Sequence, residues 1–307
     1  MVRQSGRRLS NCRFLGTVAV RNQRAIRHRR ALHQVGSRPI LGTMAGKDGN
    51  TGAKRAREAR DQLGLGQDGP LDDILITVER EGGAHVLVLE LPDDIAGAYF
   101  KRPERPLLLV CGTDYVPRQR FSLAHEFGHF RMGHDAVVDK RDVIFAGKTH
   151  DPHEIQANAF AAEFLVPKKA IQHWAADRPA KAKVTLEHVV ELAYAYGVSA
   201  KMMHIRLQTT GAIADSALAN RLDQEIDEGL HRELGDQLGL TPLTDSLTAA
   251  AQHMPRMPAS IRNSALGDLL AGTATIEEVA ADRGISVERV RAALTAMGAD
   301  QLLPRVS

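Results

Sequence analysis

The chain has 307 residues, 43% hydrophobic and 25% charged, with 13 prolines and two cysteines, Cys12 and Cys111. These values exclude a peptide, a low-complexity rod, a disulfide-stapled miniprotein and an all-cysteine metal site. No run nears the eighteen or so apolar residues of a membrane-spanning helix, so the chain reads as soluble and, with so few cysteines, cytoplasmic. The formal charge of +3 conceals an uneven distribution: ten of the 40 basic residues, all arginines, lie in residues 1–43, which hold no Asp, Glu or Lys, leaving 30 basic against 37 acidic side chains in the rest. An acidic body gives no electrostatic case for non-specific DNA binding outside the arginine-rich tail.

Residues 1–43 show neither helical nor strand period, and their one apolar run, residues 14–20, is flanked by arginines without a small-residue cleavage site, which argues against secretion. They are expected to be a basic disordered tail or the product of a start codon assigned too early, with Met44 as the true first residue. From Thr51, read as a cap, an amphipathic run through Leu63 predicts a helix stopped by Gly64, and Pro70 is expected to open a short second helix to about Val78. Residues 85–91, 98–101 and 107–111 are short β-favouring runs separated by Gly and Pro, consistent with a small antiparallel sheet. Residues 117–132 read as a helix with Pro117 in its first turn and Gly133 at its end. A polar loop over residues 135–150 precedes another helix, from about Asp151 to Val166, stopped by Pro167.

The chemistry lies in His125-Glu126-Phe127-Gly128-His129. Residues four apart on an α-helix stack on one face, so both imidazoles can point at one ion, a geometry suited to zinc. Glu126, beside that face, is placed to take a proton from an activated water. The bland alternative, two histidines on an ordinary helix, fits poorly with the apolar face formed by Phe121, Ala124, Phe127 and Phe130. A catalytic zinc calls for a third protein ligand. The candidates are His134, His150, His153 and Glu154. His134 would point away from His125 if the helix continued. Glu154 could face back across the loop, with Asn158 one turn later to support an imidazole, but Asp151 and Glu154 also form a helix-capping pattern that needs no metal.

Residues 118–129 (RQRFSLAHEFGH) and Glu154-x-x-Ala157-Asn158-x-Phe160-Ala161-Ala162-Glu163-Phe164-Leu165-Val166-Pro167 resemble, in order, the two signatures of the ImmA/IrrE metallopeptidases. The resemblance covers about residues 50–212; Phe164 and Val166 stand where Leu and Met are commoner. It implies an α+β, zincin-like domain over residues 44–212, a zinc ion (Zn2+) held by His125, His129 and Glu154, and peptide hydrolysis with Glu126 as general base. Characterised members cut repressors that carry helix-turn-helix domains, so the implied partner is such a repressor. No oxyanion-stabilising residue is identifiable; Tyr115 and His134 are merely near in sequence.

Residues 185–207 have a helix-turn-helix outline, and residues 213–307 are expected to form a helical C-terminal domain with a second such outline at 275–297, where Thr275 and Glu278 make a capping box. Neither pair has a dense basic face, and Glu277, Glu278 and Asp282 crowd the latter, so DNA binding is weakly supported. The expectation is a cytoplasmic zinc endopeptidase that inactivates a regulator. The competing reading is a DNA-binding regulator or antitoxin-like module with a structural or vestigial metal.

Overall fold

The computed structural model describes residues 46–71, 73–102, 104–146, 149–179, 183–240, 264–296 and 299–302. The tail expectation for residues 1–43 lies outside them, as do Met44 and Met297. Helix α1 spans Lys47–Gln62, capped at Gly46. It starts before Thr51, which lies inside it and hydrogen-bonds back to the Lys47 carbonyl (3.0 Å) rather than capping it. The second helix also begins later than Pro70 suggests: Asp73 caps α2 (Ile74–Ile76) by accepting from Leu75 N and Ile76 N, and the chain continues as a π-helical turn over Thr77–Glu81.

Strands β1 (His85–Leu89), β2 (Ile95–Phe100), β3 (Leu107–Cys111) and β4 (Val137–Lys140) form one sheet in the order β1-β3-β2-β4. The sheet is mixed, which corrects the expected antiparallel one: β1 runs parallel to β3, while β2 is antiparallel to both β3 and β4. β4 and a short helix, α4 (Arg141–Ala146), both lie in the stretch expected to be loop. The pairing was hidden because β1, β2 and β3 are covered on both sides, so their sequences are continuous apolar runs without the alternation that reports a solvent face.

Val86, Val88, Tyr99, Leu108 and Val110 join the core built with α3 (Val116–Met132) and α5 (Pro152–Leu165). Leu87, Leu89, Ile95, Ala98, Phe100, Leu107, Leu109 and Cys111 pack in a second core with the last helices. These are α11 (Ala265–Leu270), α12 (Ile276–Arg283), α13 (Val287–Ala296) and the 3-10 turn Ala299–Leu302. Val279 and Ala280 of α12 and Val290 and Leu294 of α13 are among the residues buried there, so the apolar face of this pair is taken up by the sheet.

Between α5 and the C-terminal trio come α6 (Lys168–Ala176), α7 (Leu186–Tyr196), α8 (Ala200–Thr209), α9 (Ser216–Asp227) and α10 (Leu230–Gln237). Ile213, Leu222 and Ile226 share the first core with residues before position 212. Glu163, in the second signature, is structural: its carboxylate pairs with the buried Arg206 of α8 and with Arg57 of α1 (3.4 Å), tying three helices together. Among the described residues no helix is long and apolar enough to cross a membrane.

Candidate metal centre

Helix α3 follows the pattern of its sequence, with Pro117 in the first turn and Gly133 at the C-cap. Its inner face carries His125, Glu126 and His129, exposed by no more than 1%. Gly128 lets α3 approach α5: a Cβ there would meet the Phe160 ring at 3.0 Å. Asp151 caps α5 by accepting from His153 N, which leaves Glu154 in the first turn free to face α3. The Asp151 cap and an inward-facing Glu154 carboxylate therefore coexist.

Glu154 reaches both imidazoles, at 3.3 Å from His125 Nε2 and 3.5 Å from His129 Nε2. A fourth group, Asp139 of β4, was not anticipated: its Oδ2 lies 3.3 Å from His125 Nε2 and 3.7 Å from His129 Nε2. One donor atom from each of these four residues lies within 4.8 Å of all the others. Asp139 was missed because it sits in a polar stretch without periodicity; the β-branched pair Val137-Val138 just before it was the one local sign of a strand.

The remaining candidates do not converge. His150 is exposed. His153 stacks on His134 with ring centroids 4.2 Å apart. His134 instead backs His129, its Nδ1 2.9 Å from His129 Nδ1.

The hydrogen-bond network assigns both imidazole tautomers. His125 Nδ1 faces Asn158 Oδ1 at 3.1 Å while the Asn158 amide donates to the Val143 carbonyl, so Nδ1 carries the proton. Gln156 donates through Nε2 to Asp48 (2.9 Å), which turns its Oε1 toward His134 Nε2 (3.3 Å). His134 therefore donates through Nε2 and accepts at Nδ1 from His129. In its neutral form each imidazole thus presents a bare Nε2, and the two are 3.0 Å apart. Two lone pairs facing each other at that distance repel unless a cation lies between them.

The electrostatics also call for positive charge at that point, which a bound cation or a second proton on His125 Nε2 would supply. Burial opposes a charge on His125, but the Asp139 and Glu154 carboxylates outweigh it and lift its pKa to about 9. Burial, and then the neighbouring His125, push His129 well below the ordinary imidazole value. Burial, followed by Asp139 and Glu154, holds the Glu126 carboxyl well above the usual range. Glu126 Oε1 and Oε2, Asp139 Oδ2 and Glu154 Oε2 are buried without hydrogen-bond partners. Three carboxyl groups and two converging imidazole Nε2 atoms in a dry site are a poor protein core and a good divalent-cation site.

Glu126 rests against β2 because position 97 is glycine. A Cβ there would lie 2.4 Å from Glu126 Oε1 and 2.9 Å from the Leu109 carbonyl oxygen. The carboxylate therefore occupies space that any other residue would fill.

The family model described as an IrrE N-terminal-like domain, Peptidase M78, matches residues 81–208. Residues 81–208 belong to the ImmA/IrrE family. No curated protein matches the chain in sequence. The matched stretch holds all four converging residues as well as Glu126, and it contains the whole sheet, α3 and α5. The strands of the C-terminal core also fall within this ImmA/IrrE domain, whereas the helices that cover them lie beyond it.

Proposed function

We propose that the protein is a zinc-dependent endopeptidase that cuts a specific protein, a helix-turn-helix repressor of transcription, in the cytoplasm. The observation that carries the hydrolytic reading is Glu126: a buried carboxyl group with no partner of its own, beside two imidazoles and a carboxylate on an ion-sized centre, in a domain of a peptidase family.

His125, His129 and Glu154 would hold the ion; bound there, zinc supplies Lewis acidity to a carbonyl and to a water. Asn158 and the His134–Gln156–Asp48 chain fix the two imidazoles in the tautomer that offers Nε2. Burial and the neighbouring carboxylates hold Glu126 well above the usual carboxylate range, which raises its proton affinity; in its ionised form it would take a proton from the attacking water and return it to the leaving amine. The sheet ends at β4, the strand that carries Asp139 of the centre, so an extended segment of substrate added alongside β4 would run beside that residue. The acidic balance beyond residue 43 suits a basic, DNA-binding substrate.

A role as a DNA-binding module draws no support from α12 and α13: their apolar residues cover the sheet, and Arg291 on α13 is paired with Glu277. The test is incubation of the purified protein with regulators encoded beside its gene. Cleavage that stops with a chelator and returns with zinc is expected, and a protein that binds zinc yet cuts none of them, while shifting promoter DNA, overturns the reading.

A further inference from the structure

A metal centre built for hydrolysis keeps one coordination place open, whereas a structural centre fills all four with protein. The cluster here has four protein donors. A tetrahedral ion with bonds of about 2.0–2.1 Å sets its ligands about 3.3 Å apart. The separations from Asp139 Oδ2 to the two Nε2 atoms, 3.3 and 3.7 Å, come close to that edge from a single oxygen, whereas Glu154 uses Oε2 at 3.3 Å for one and Oε1 at 3.5 Å for the other. Asp139 is 3% exposed and its Oδ2, the atom nearest both histidines, has no hydrogen-bond partner.

The backbone aims this side chain. β2 and β4 pair as Ile95 with Lys140 and Gly97 with Asp139, so Ala96 is an extra residue in β2, a bulge opposite the aspartate. The bulge reverses the alternation of β2: Ile95 and Ala98, three apart, both enter the C-terminal core, while Gly97 opens space on the α3 side. Asp139, opposite that glycine, is brought under the histidines at the last strand of the sheet.

We infer that Asp139 is a fourth ligand of the ion, so that the free protein holds it in a closed shell of His125, His129, Glu154 and Asp139, and water enters only when Asp139 gives way. The centre is then latent, and engagement of substrate along β4 is the event placed to withdraw the blocking carboxylate. This inference rests on the metallopeptidase reading above and makes a statement about the resting state that the reading does not require.

The test uses the full chain loaded with cobalt or zinc. In the native protein the visible cobalt spectrum should not change on adding azide, whereas in Asp139→Asn azide should bind and shift it. The zinc Kd of Asp139→Asn should rise at least tenfold, measured by competition with a chromophoric chelator. Asp139→Cys should give cobalt a near-ultraviolet thiolate band that the native protein lacks, which reports coordination directly in a folded, metal-loaded variant. Azide binding to the native cobalt protein, or an Asp139→Asn protein that keeps native zinc affinity together with an Asp139→Cys protein without the band, overturns the inference. Failure of the native chain to bind zinc or cobalt at all would bring down the metallopeptidase reading with it; tight zinc binding with chelator-sensitive cleavage but no effect at Asp139 would remove this inference alone.

Discussion

The two faces of the sheet are built from the same strands and do opposite things. Toward the C-terminal helices, Leu87, Leu89, Phe100, Leu107 and Leu109 meet Leu269, Leu270, Val279, Val290 and Leu294 in an apolar layer. Toward α3, the layer is interrupted at one register position, where Gly97 and Asp139 are paired and Glu126, His125 and His129 close over them. The first face stabilises the fold by removing hydrocarbon from water. The second buries groups that water would rather keep, an arrangement that a bound cation offsets. Strand propensity is equal on both sides; what separates them is the loss of a side chain at position 97 and the gain of a carboxylate at 139.

If this division is right, substitutions on the two faces should fail in different ways. The largest effect is expected from Glu126→Gln, which keeps the shape and removes the base: cleavage should fall by about 10²–10⁴-fold with zinc still bound, read by a cleavage assay beside a metal titration. On the opposite face, Leu294→Ala should lower the free energy of unfolding by about 2–5 kcal/mol in urea titrations of the metal-loaded protein while leaving the zinc Kd alone. A parallel loss of zinc affinity would show that the faces are not separable.

Gly97→Ala tests the point at which they differ. The added methyl must push the Glu126 carboxylate aside, and cleavage should drop about 10²-fold, a kcat effect with zinc affinity little changed. Unaltered kcat would mean that Glu126 does not depend on the gap. The smallest change is expected from His134→Ala, which leaves the His129 Nδ1 proton without its acceptor; zinc should bind about 10–100-fold more weakly, with the apo protein folding as before by circular dichroism.

Parts of this site were legible in the chain. The i, i+4 spacing of His125 and His129, with Glu126 between, requires only that residues 117–132 be helical, and the Pro117 and Gly133 signals mark both ends. Glu154 was open on spacing alone, because Asp151 and Glu154 also describe a capped helix start; the family signature favoured it, and the structure shows the cap and the inward carboxylate together. The starts of α1 and α2 were misplaced because Thr51 and Pro70 are plausible signals that the chain does not use. β4 was missed because four residues of edge strand leave almost no pattern.

The sequence alone therefore determined the helix that carries the two imidazoles and Glu126, since covalent geometry fixes what lies one turn away on an α-helix. It also marked the helix that brings Glu154. Only the tertiary structure decided that β1 and β3 run parallel, that a bulge at Ala96 turns Asp139 under the histidines, that Gly97 makes room for Glu126, and that a chain through His134 and Gln156 to Asp48 sets the tautomer of His129. Those relations join residues far apart in the chain. They are fixed by how two buried faces pack and by one extra residue in a strand, neither of which leaves a periodic trace along the sequence.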